Sequence, residues 1–345
     1  MASRPSFREF AEHWLPRLET EIREVLRCPD PMLAGHYRMM HYHMGWLDEQ
    51  FRPGRFPTGK RIRPLLCLLA CQEVGGRPED ALPAAAALEI FHNFSLIHDD
   101  IEDQDTTRRH RPTLWALWGT AQAINVGDGM FALAYAALLR LGQQGLEPPR
   151  LLSIVERFTR TAVMLAEGQH LDLGFERRDR VTVEEYLRMI AGKTASLLAA
   201  SLAMGAAVGG ADPEAQEALS RFGHNLGMAF QIRDDILGIW GDPAVTGKPA
   251  GSDVLRRKKS LPLLYALAHP EVGPVLQSRW TQALGPEEMP EILALLDQAG
   301  ARAYAEDVLQ GFHREGIQAL EEALGFRAPA SPLMALADEL VERVA

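Results

Sequence analysis

Apolar residues recur along the chain at intervals of three and four, and no stretch sustains the alternation of a half-buried strand, so the pattern predicts helices almost throughout. The helical runs fall at about 5–27, 32–51, 61–75, 79–103, 112–142, 150–174, 183–209, 213–241, 260–268, 274–283, 287–298, 300–324 and 331–344. Gly75-Gly76, Pro148-Pro149, Gly209-Gly210 and Gly247-Lys248-Pro249 punctuate them, as helix breakers should. No repeat of solenoid period and no low-complexity linker divides the chain. The expectation is an all-α helical bundle in a single domain over 1–345, with 271–345 forming closing helices whose Asp and Glu face solvent.

Composition narrows this picture. The 345 residues are 47% apolar, enough for a large core, and only 7% aromatic, which fits the helix-forming Ala, Leu, Glu, Arg and Met that dominate. A net charge of −10 argues against a nucleic-acid partner, so any anionic ligand must be met by local clusters of cations. Cys28, Cys67 and Cys71 form no CxxC pair and read as buried thiols in a reducing cytosol. The first residues, MASRPSFREFAEHW, lack the apolar stretch of a signal peptide. The strongest transmembrane candidate, Ala195 to Gly210, is too short to span and reads as a core helix. The expected location is cytoplasmic, with no transmembrane segment.

Candidate chemistry concentrates at two helix ends. From Glu89 an apolar helix runs into Asp99, Asp100, Glu102, Asp103 and Asp105. Asp99 and Asp103 are one turn apart and share a face, with Asp100 beside them. Acids near a helix C-terminus oppose its dipole and need compensation. An all-oxygen donor set suits Mg²⁺, which keeps several waters and shares its other positions with phosphates. A second apolar helix carries Asp234 and Asp235, and two such pairs could face one another and hold divalent ions on one diphosphate. Basic loops match them: Lys60, Arg61 and Arg63; Arg108, Arg109 and Arg111; Lys248; and Arg256 to Lys259. Any one of these clusters alone would be an ordinary solvated patch; their combination points to phosphate chemistry.

With these residues in this order, residues 55–270 resemble the trans-isoprenyl diphosphate synthases of the polyprenyl synthetase family, in look closest to actinobacterial geranylgeranyl diphosphate synthases. The family's first DDxxD is similar to Asp99, Asp100 and Asp103, followed by RRxxPT at Arg108, Arg109, Pro112 and Thr113. Its GKxxRP is met at Gly59 to Pro64, its Lys-Thr pair at Lys193 and Thr194, its GQxxDL at Gly168 to Leu173, and its second motif at Gln231 to Asp235.

The resemblance implies an isoprenoid synthase bundle around a central catalytic cavity, assembled as a homodimer. It implies that Lys60, Arg63, His92 and Arg109 hold the diphosphate of isopentenyl diphosphate without metal. The allylic diphosphate would be bound through two or three Mg²⁺ on Asp99, Asp100, Asp103, Asp234 and Asp235. Arg108, Lys193, Thr194, Lys248 and Lys258 would contact it directly, and Gln231 would face the reacting carbons. The implied reaction is ionisation of the allylic diphosphate, attack by the isopentenyl double bond, and loss of a proton that the departing diphosphate could take.

One position departs from the family pattern: Gly238 stands where the second motif usually has its third Asp. Asp242, eight residues after Asp234, would lie on the same face if the helix continued.

Product length is read from the helix before the first motif. At about 1.5 Å per residue, Phe94 lies roughly 7–8 Å and Phe91 roughly 12 Å before Asp99, lengths matching short prenyl tails. The family gauges its product at the fifth position before DDxxD, which is Phe94, and Phe91 and Ser95 adjoin it. Without the two-residue insertion seen in many bacterial farnesyl synthases, a C20 product is expected first and C15 second.

Three rivals fit less well. The pairs Glu89-x-x-His92 and Glu167-x-x-His170 suggest a di-iron bundle but leave the Asp pairs and basic loops without a purpose. A terpene cyclase on the same scaffold has no need of Lys60, Arg63, His92 and Arg109. A non-catalytic subunit of a heteromeric synthase should show eroded acid motifs. His13, His36, His41 and His43 lack acidic or thiolate partners and read as surface or interface histidines.

Overall fold

The computed structural model describes residues 6–242, 251–255, 257–280, 285 and 287–342; Lys248 and Arg256, expected near phosphate, lie outside these described residues. Among them, α1 covers Phe7–Val25, α2 Ala34–His43, α3 Ile62–Glu73 and α4 Leu82–Glu102. A hairpin of β1 (Thr107–Arg108) and β2 (Arg111–Pro112) follows, then α5 (Leu114–Trp118), α6 (Thr120–Gln143), α7 (Pro148–Glu176) and α8 (Val183–Ile190). A π-helical turn at Ala191–Ala195 joins α8 to α9 (Ser196–Val208). The order continues with α10 (Pro213–Trp240), α11 (Ser252–Leu255), α12 (Leu261–Ala268) and α13 (Val272–Trp280). It ends with α14 (Met289–Gln298), α15 (Ala301–Leu324) and α16 (Pro332–Glu342).

The all-α expectation holds, and its local causes are visible. In α1, Ser6 and Glu9 form a capping box, and Phe10, Trp14, Leu18 and Ile22 make a buried stripe at four-residue spacing. Thr182 and Glu185 cap α8 in the same way.

Two expectations need correction, and one condition is not met. The helix predicted over 32–51 stops at His43, because Gly45 turns at φ +79 and the chain doubles back through an antiparallel bridge of Leu47 with Pro53. The helix predicted over 112–142 is two, parted at Gly119 with φ +82, and the hairpin before it had no apolar alternation to announce it. The second acidic helix does not continue to Asp242: α10 ends at Trp240, and Asp242 lies beyond its last turn.

The chain forms two compact units, Met1–Arg157 with Ser201–Gln216, and Phe158–Ala200 with Glu217–Ala345. In the first, α4 is central: Ala84 to Leu88, Ile90 and Phe91 are all at most 1% exposed, and α3 contributes Leu65 to Cys71. Cys67 and Cys71 are buried free thiols; burial pushes Cys71 up to about 12 and Cys67 well above its ordinary value, so neither offers a thiolate. In the second unit, Tyr186, Met189, Ile190, Ile232, Ile236, Leu261 and Leu309 share one core cluster. Val272, Leu276, Ile292 and Leu296 enter a second cluster with Ile239 and Leu263.

Two helical stretches, Thr120–Gln143 and Val183–Val208, are long and apolar enough to cross a membrane, and the apolar window of the second is 78% buried inside the protein.

Candidate active site

In the first unit, the last turn of α4 carries the acidic cluster. Asp99 is half-buried, and Asp103 caps the helix, its N–H donating to Asp99 O at 2.8 Å, so the two side chains are stacked one turn apart. Asp100 differs: it is 2% exposed, and Arg108 Nε donates to its Oδ1 at 2.5 Å. Burial pushes the Asp100 carboxyl up to about 6, against the pull of Arg108. Asp100, expected as a metal ligand, thus anchors the hairpin that follows.

That hairpin is a two-residue turn. Arg108 pairs with Arg111, and Arg109 and His110 between them adopt φ +53 and +61, the left-handed conformation that a type I′ turn demands and that Asn-Gly usually supplies. Holding Arg109 there costs roughly 1–2 kcal/mol, and the surrounding contacts enforce it. Tyr42 Oη donates to Pro112 O at 2.8 Å, while Arg111 donates to Tyr42 O at 3.0 Å and to Leu47 O at 2.6 Å. Arg111 also stacks on the rings of Tyr42 and Phe56, with its guanidinium carbon 3.9 and 4.3 Å from their centroids.

The loop of Lys60 and Arg63 is held by a residue between them. Arg61 begins α3 at φ +53, its side chain 2% exposed and paired with the buried Glu89 and with Glu19. Glu89 is therefore committed to Arg61 and Asn93, and Glu167 and His170 are exposed, which removes the di-iron pairing.

Arg63 and Arg109 are the distinctive cations here. Among the described residues neither is hydrogen-bonded to a carboxylate; Arg63 meets the His92 ring at 3.3 Å, and burial lowers the affinity of both guanidiniums for their protons. Gly59 lies so close to Arg109 that a Cβ there would meet its Nη2 at 2.9 Å. Lys60 is exposed. Burial, then the nearby arginines, depress His92 and His43 well below the ordinary 6.5. Both therefore stay neutral at neutral pH. In the unfolded chain they would take a proton near 6.5 while the folded chain refuses it, so stability is lost as pH falls below about 6.5. Histidine NMR, assigned with His43→Gln and His92→Gln, should show neither resonance moving between pH 8 and 6; an inflection near 6.5 at either would contradict their burial among guanidiniums.

On the other side of α4, Phe91 is buried and Phe94 half-buried, with ring centroids 5.1 Å apart. Phe131 of α6 closes a triangle with them at 5.9 and 5.1 Å, and Tyr135 extends it. Sequence reasoning missed Phe131, which has no local mark. Ser95 is buried, and its hydroxyl donates to His92 O on its own helix at 2.9 Å, apart from these rings.

In the second unit, two glycines set the geometry. A Cβ on Gly168 would lie 2.3 Å from Lys193 N, so α7 can meet the π turn only there. One turn further along α7, Asp172 accepts from Lys193 Nζ at 2.5 Å. A Cβ on Gly227 would lie 2.6 Å from Ala195 Cα, and one turn on, Gln231 accepts from Thr194 Oγ1 at 3.1 Å. The π turn carries Lys193 and Thr194, a distortion that recurs at functional sites. Asp172 is a second residue missed by sequence, although it sits within the quoted GQxxDL.

Asp234 is exposed and Asp235 is 0% exposed. Asp235 Oδ1 accepts from Lys258 Nζ at 3.0 Å and Gln231 Nε2 at 3.3 Å; Oδ2 accepts from Leu261 N at 3.1 Å and from Tyr186 Oη. Four protein donors saturate this carboxylate, so Asp235, expected as a metal ligand, fastens α12 to α10 and holds Lys258. Both Asp pairs divide alike: the first member is the more exposed, and the second is buried on a cation.

The donor set fits magnesium. Asp99 and Asp103 in the first unit, and Asp234 in the second, offer oxygen only, and among the described residues no three His, Cys, Asp or Glu side chains converge on one point. A hard cation held by carboxylates of this kind would complete its coordination with water and phosphate oxygens, the habit of Mg²⁺.

Comparison with known proteins identifies the family. A family model described as polyprenyl synthetase matches residues 45–295. The chain is 38% identical over 331 residues to a farnesyl diphosphate synthase of Mycobacterium tuberculosis, covering 94% of this chain and 91% of that protein. It is 39% identical over 325 residues to a geranylgeranyl diphosphate synthase of the same organism, covering 93% and 88%. A crystal structure of a polyprenyl synthetase from Streptomyces coelicolor matches with a TM-score of 0.86 at 39% identity over 97% of both chains. On these matches and this site the chain belongs to the polyprenyl synthetase family of all-helical prenyltransferases.

Proposed function

We propose that this short-chain trans-prenyl diphosphate synthase condenses isopentenyl diphosphate with allylic diphosphates, acting as one isoprenoid synthase domain over 1–345. The observation that carries this reading is the pairing, within one unit, of two part-buried guanidiniums with no carboxylate hydrogen-bonded to them among the described residues, Arg63 and Arg109, with the acidic last turn of α4. A diphosphate acceptor site needing no metal fits the former, and a metal-bound diphosphate fits the latter.

In this reading Lys60, Arg63, His92 and Arg109 receive isopentenyl diphosphate. Asp99, Asp103 and Asp234 hold two or three Mg²⁺ with the allylic diphosphate, Asp100 and Asp235 orienting Arg108 and Lys258 beside them. When bound, the metal supplies positive charge to the departing diphosphate. Lys193, held by Asp172, adds a fixed cation to the same leaving group, and Thr194 fixes the Gln231 amide. Lys248 is proposed as a further contact on the resemblance alone. Homodimeric assembly, a cytoplasmic location and the absence of a membrane span and of nucleic-acid binding are proposed on the same ground.

The Phe91, Phe94 and Phe131 rings are proposed as the floor that ends elongation, with C20 the main product and C15 second, Ser95 contributing through the helix. The test is mass spectrometry of products from isopentenyl diphosphate with C5, C10 and C15 starters, with Mg²⁺ and with EDTA. A Mg²⁺-dependent linear C20 or C15 diphosphate is expected; hydrocarbons from a starter alone would mean a cyclase. Phe94→Ala and Phe131→Ala should each lengthen the product by one or more C5 units, and unchanged products from these, Phe91→Ala and the triple variant would remove the floor.

A further inference from the structure

The last residue of α2, His43, stands beside the arginine hairpin although more than 60 residues of chain separate the two. Its Nε2 is buried and has no hydrogen-bond partner among the described residues, which is uncommon for a buried polar atom. It lines a cleft with Asp100, Arg108, Arg109 and Arg111, and of the guanidiniums around it Arg109 bears on it most strongly. The cleft encloses about 20 Å³, room for one oxygen atom. Arg108 is engaged by Asp100, whereas Arg109 has no carboxylate hydrogen-bonded to it among the described residues, so an oxygen of an anion received by Arg109 would fill this corner.

The placement is built in. Tyr42, next to His43, is bonded to Pro112 at 2.8 Å and Arg111 reaches back to Tyr42 O at 3.0 Å, which clamps the end of α2 to the hairpin on both sides. The φ +79 turn at Gly45 sends the chain on toward the Gly59 loop, where a Cβ on Gly45 would meet Thr58 at 2.6 Å. The stretch from Tyr42 to Gly59 therefore carries His43 and one flank of the site, and is clamped to the other.

We propose that the Nε2–H of His43 is a further donor to the metal-free diphosphate, hydrogen-bonding an oxygen of isopentenyl diphosphate beside Arg109. This rests on the synthase reading above. A neutral imidazole adds a directed donor where a further cation would be repelled by the arginines.

Calorimetric titration of isopentenyl diphosphate in EDTA separates the two ideas. His43→Phe keeps the ring and removes the donor, and its Kd should rise about tenfold. His43→Gln, whose amide N–H can take the place of Nε2–H, should recover to within about threefold, and the KM of the allylic starter should stay within about twofold in both. If wild-type protein binds isopentenyl diphosphate and His43→Phe binds it equally well, or if both substrates weaken alike, the His43 assignment is overturned while the synthase reading stands. If wild-type protein binds none without metal, the acceptor site itself is wrong and the assignment falls with it. Should circular dichroism show His43→Phe unfolded, His43→Ala carries the same comparison.

Discussion

Asp99→Asn is expected to lower kcat by about a thousandfold with little change in the KM of isopentenyl diphosphate. The substitution is nearly isosteric and leaves α4, the Asp100–Arg108 pair and the guanidiniums of the acceptor site in place. What it removes is one of two stacked anionic ligands, with Asp103 one turn away. Loss of one well-placed charge-stabilising group costs typically 10²–10³ in rate, and a thousandfold is about 4 kcal/mol on the barrier. Thermal stability should move the other way. Acids clustered at a helix C-terminus repel one another and oppose the dipole, so in EDTA the variant should melt at or slightly above the wild-type temperature. Kinetics across a Mg²⁺ series, with melting curves in EDTA, decide the matter. A kcat within tenfold of wild type at saturating Mg²⁺ would show that Asp99 is not a principal ligand.

Why Asp99 and not its neighbour is the informative target bears on what a sequence can disclose. Both Asp pairs were legible as acid clusters, and each was read as a set of equivalent ligands. Adjacent helical residues point about 100° apart, so two neighbouring carboxylates cannot both face one cavity. The split into half-buried Asp99 and exposed Asp234 against buried Asp100 and Asp235 follows from that angle and was available in principle. The α-helical runs were equally legible, since an amphipathic stripe such as Phe10, Trp14, Leu18 and Ile22 is written locally. What was not legible depends on contacts between distant segments. Phe131 joins Phe94 only because α6 packs along α4, and His43 joins Arg109 only because Gly45 and the Arg109–His110 turn adopt left-handed backbone. Arg109 in a type I′ turn runs against local preference, and such exceptions gather where function demands them.

Arg61→Met is expected to be the most destabilising single change at the site. Its guanidinium and the Glu89 carboxylate are 2% and 3% exposed, with Glu19 as a second partner. Removing one member of a buried pair strands the other, which costs about 3–5 kcal/mol. For a chain of this length that corresponds to a fall in Tm of ~4–7 °C. Arg61→Met with Glu89→Leu should recover most of the loss, since well-packed apolar groups can replace a buried ion pair at little cost. Function should not recover in parallel. Arg61 also fixes the left-handed residue from which Lys60 and Arg63 project, and Glu89 lies one turn before Asn93, which donates to it at 2.6 Å. The double variant should therefore melt near the wild-type temperature yet keep a raised KM for isopentenyl diphosphate. Recovery of both quantities would make the pair a purely structural element. A single-variant loss under about 1 kcal/mol would mean that the network contributes little to either.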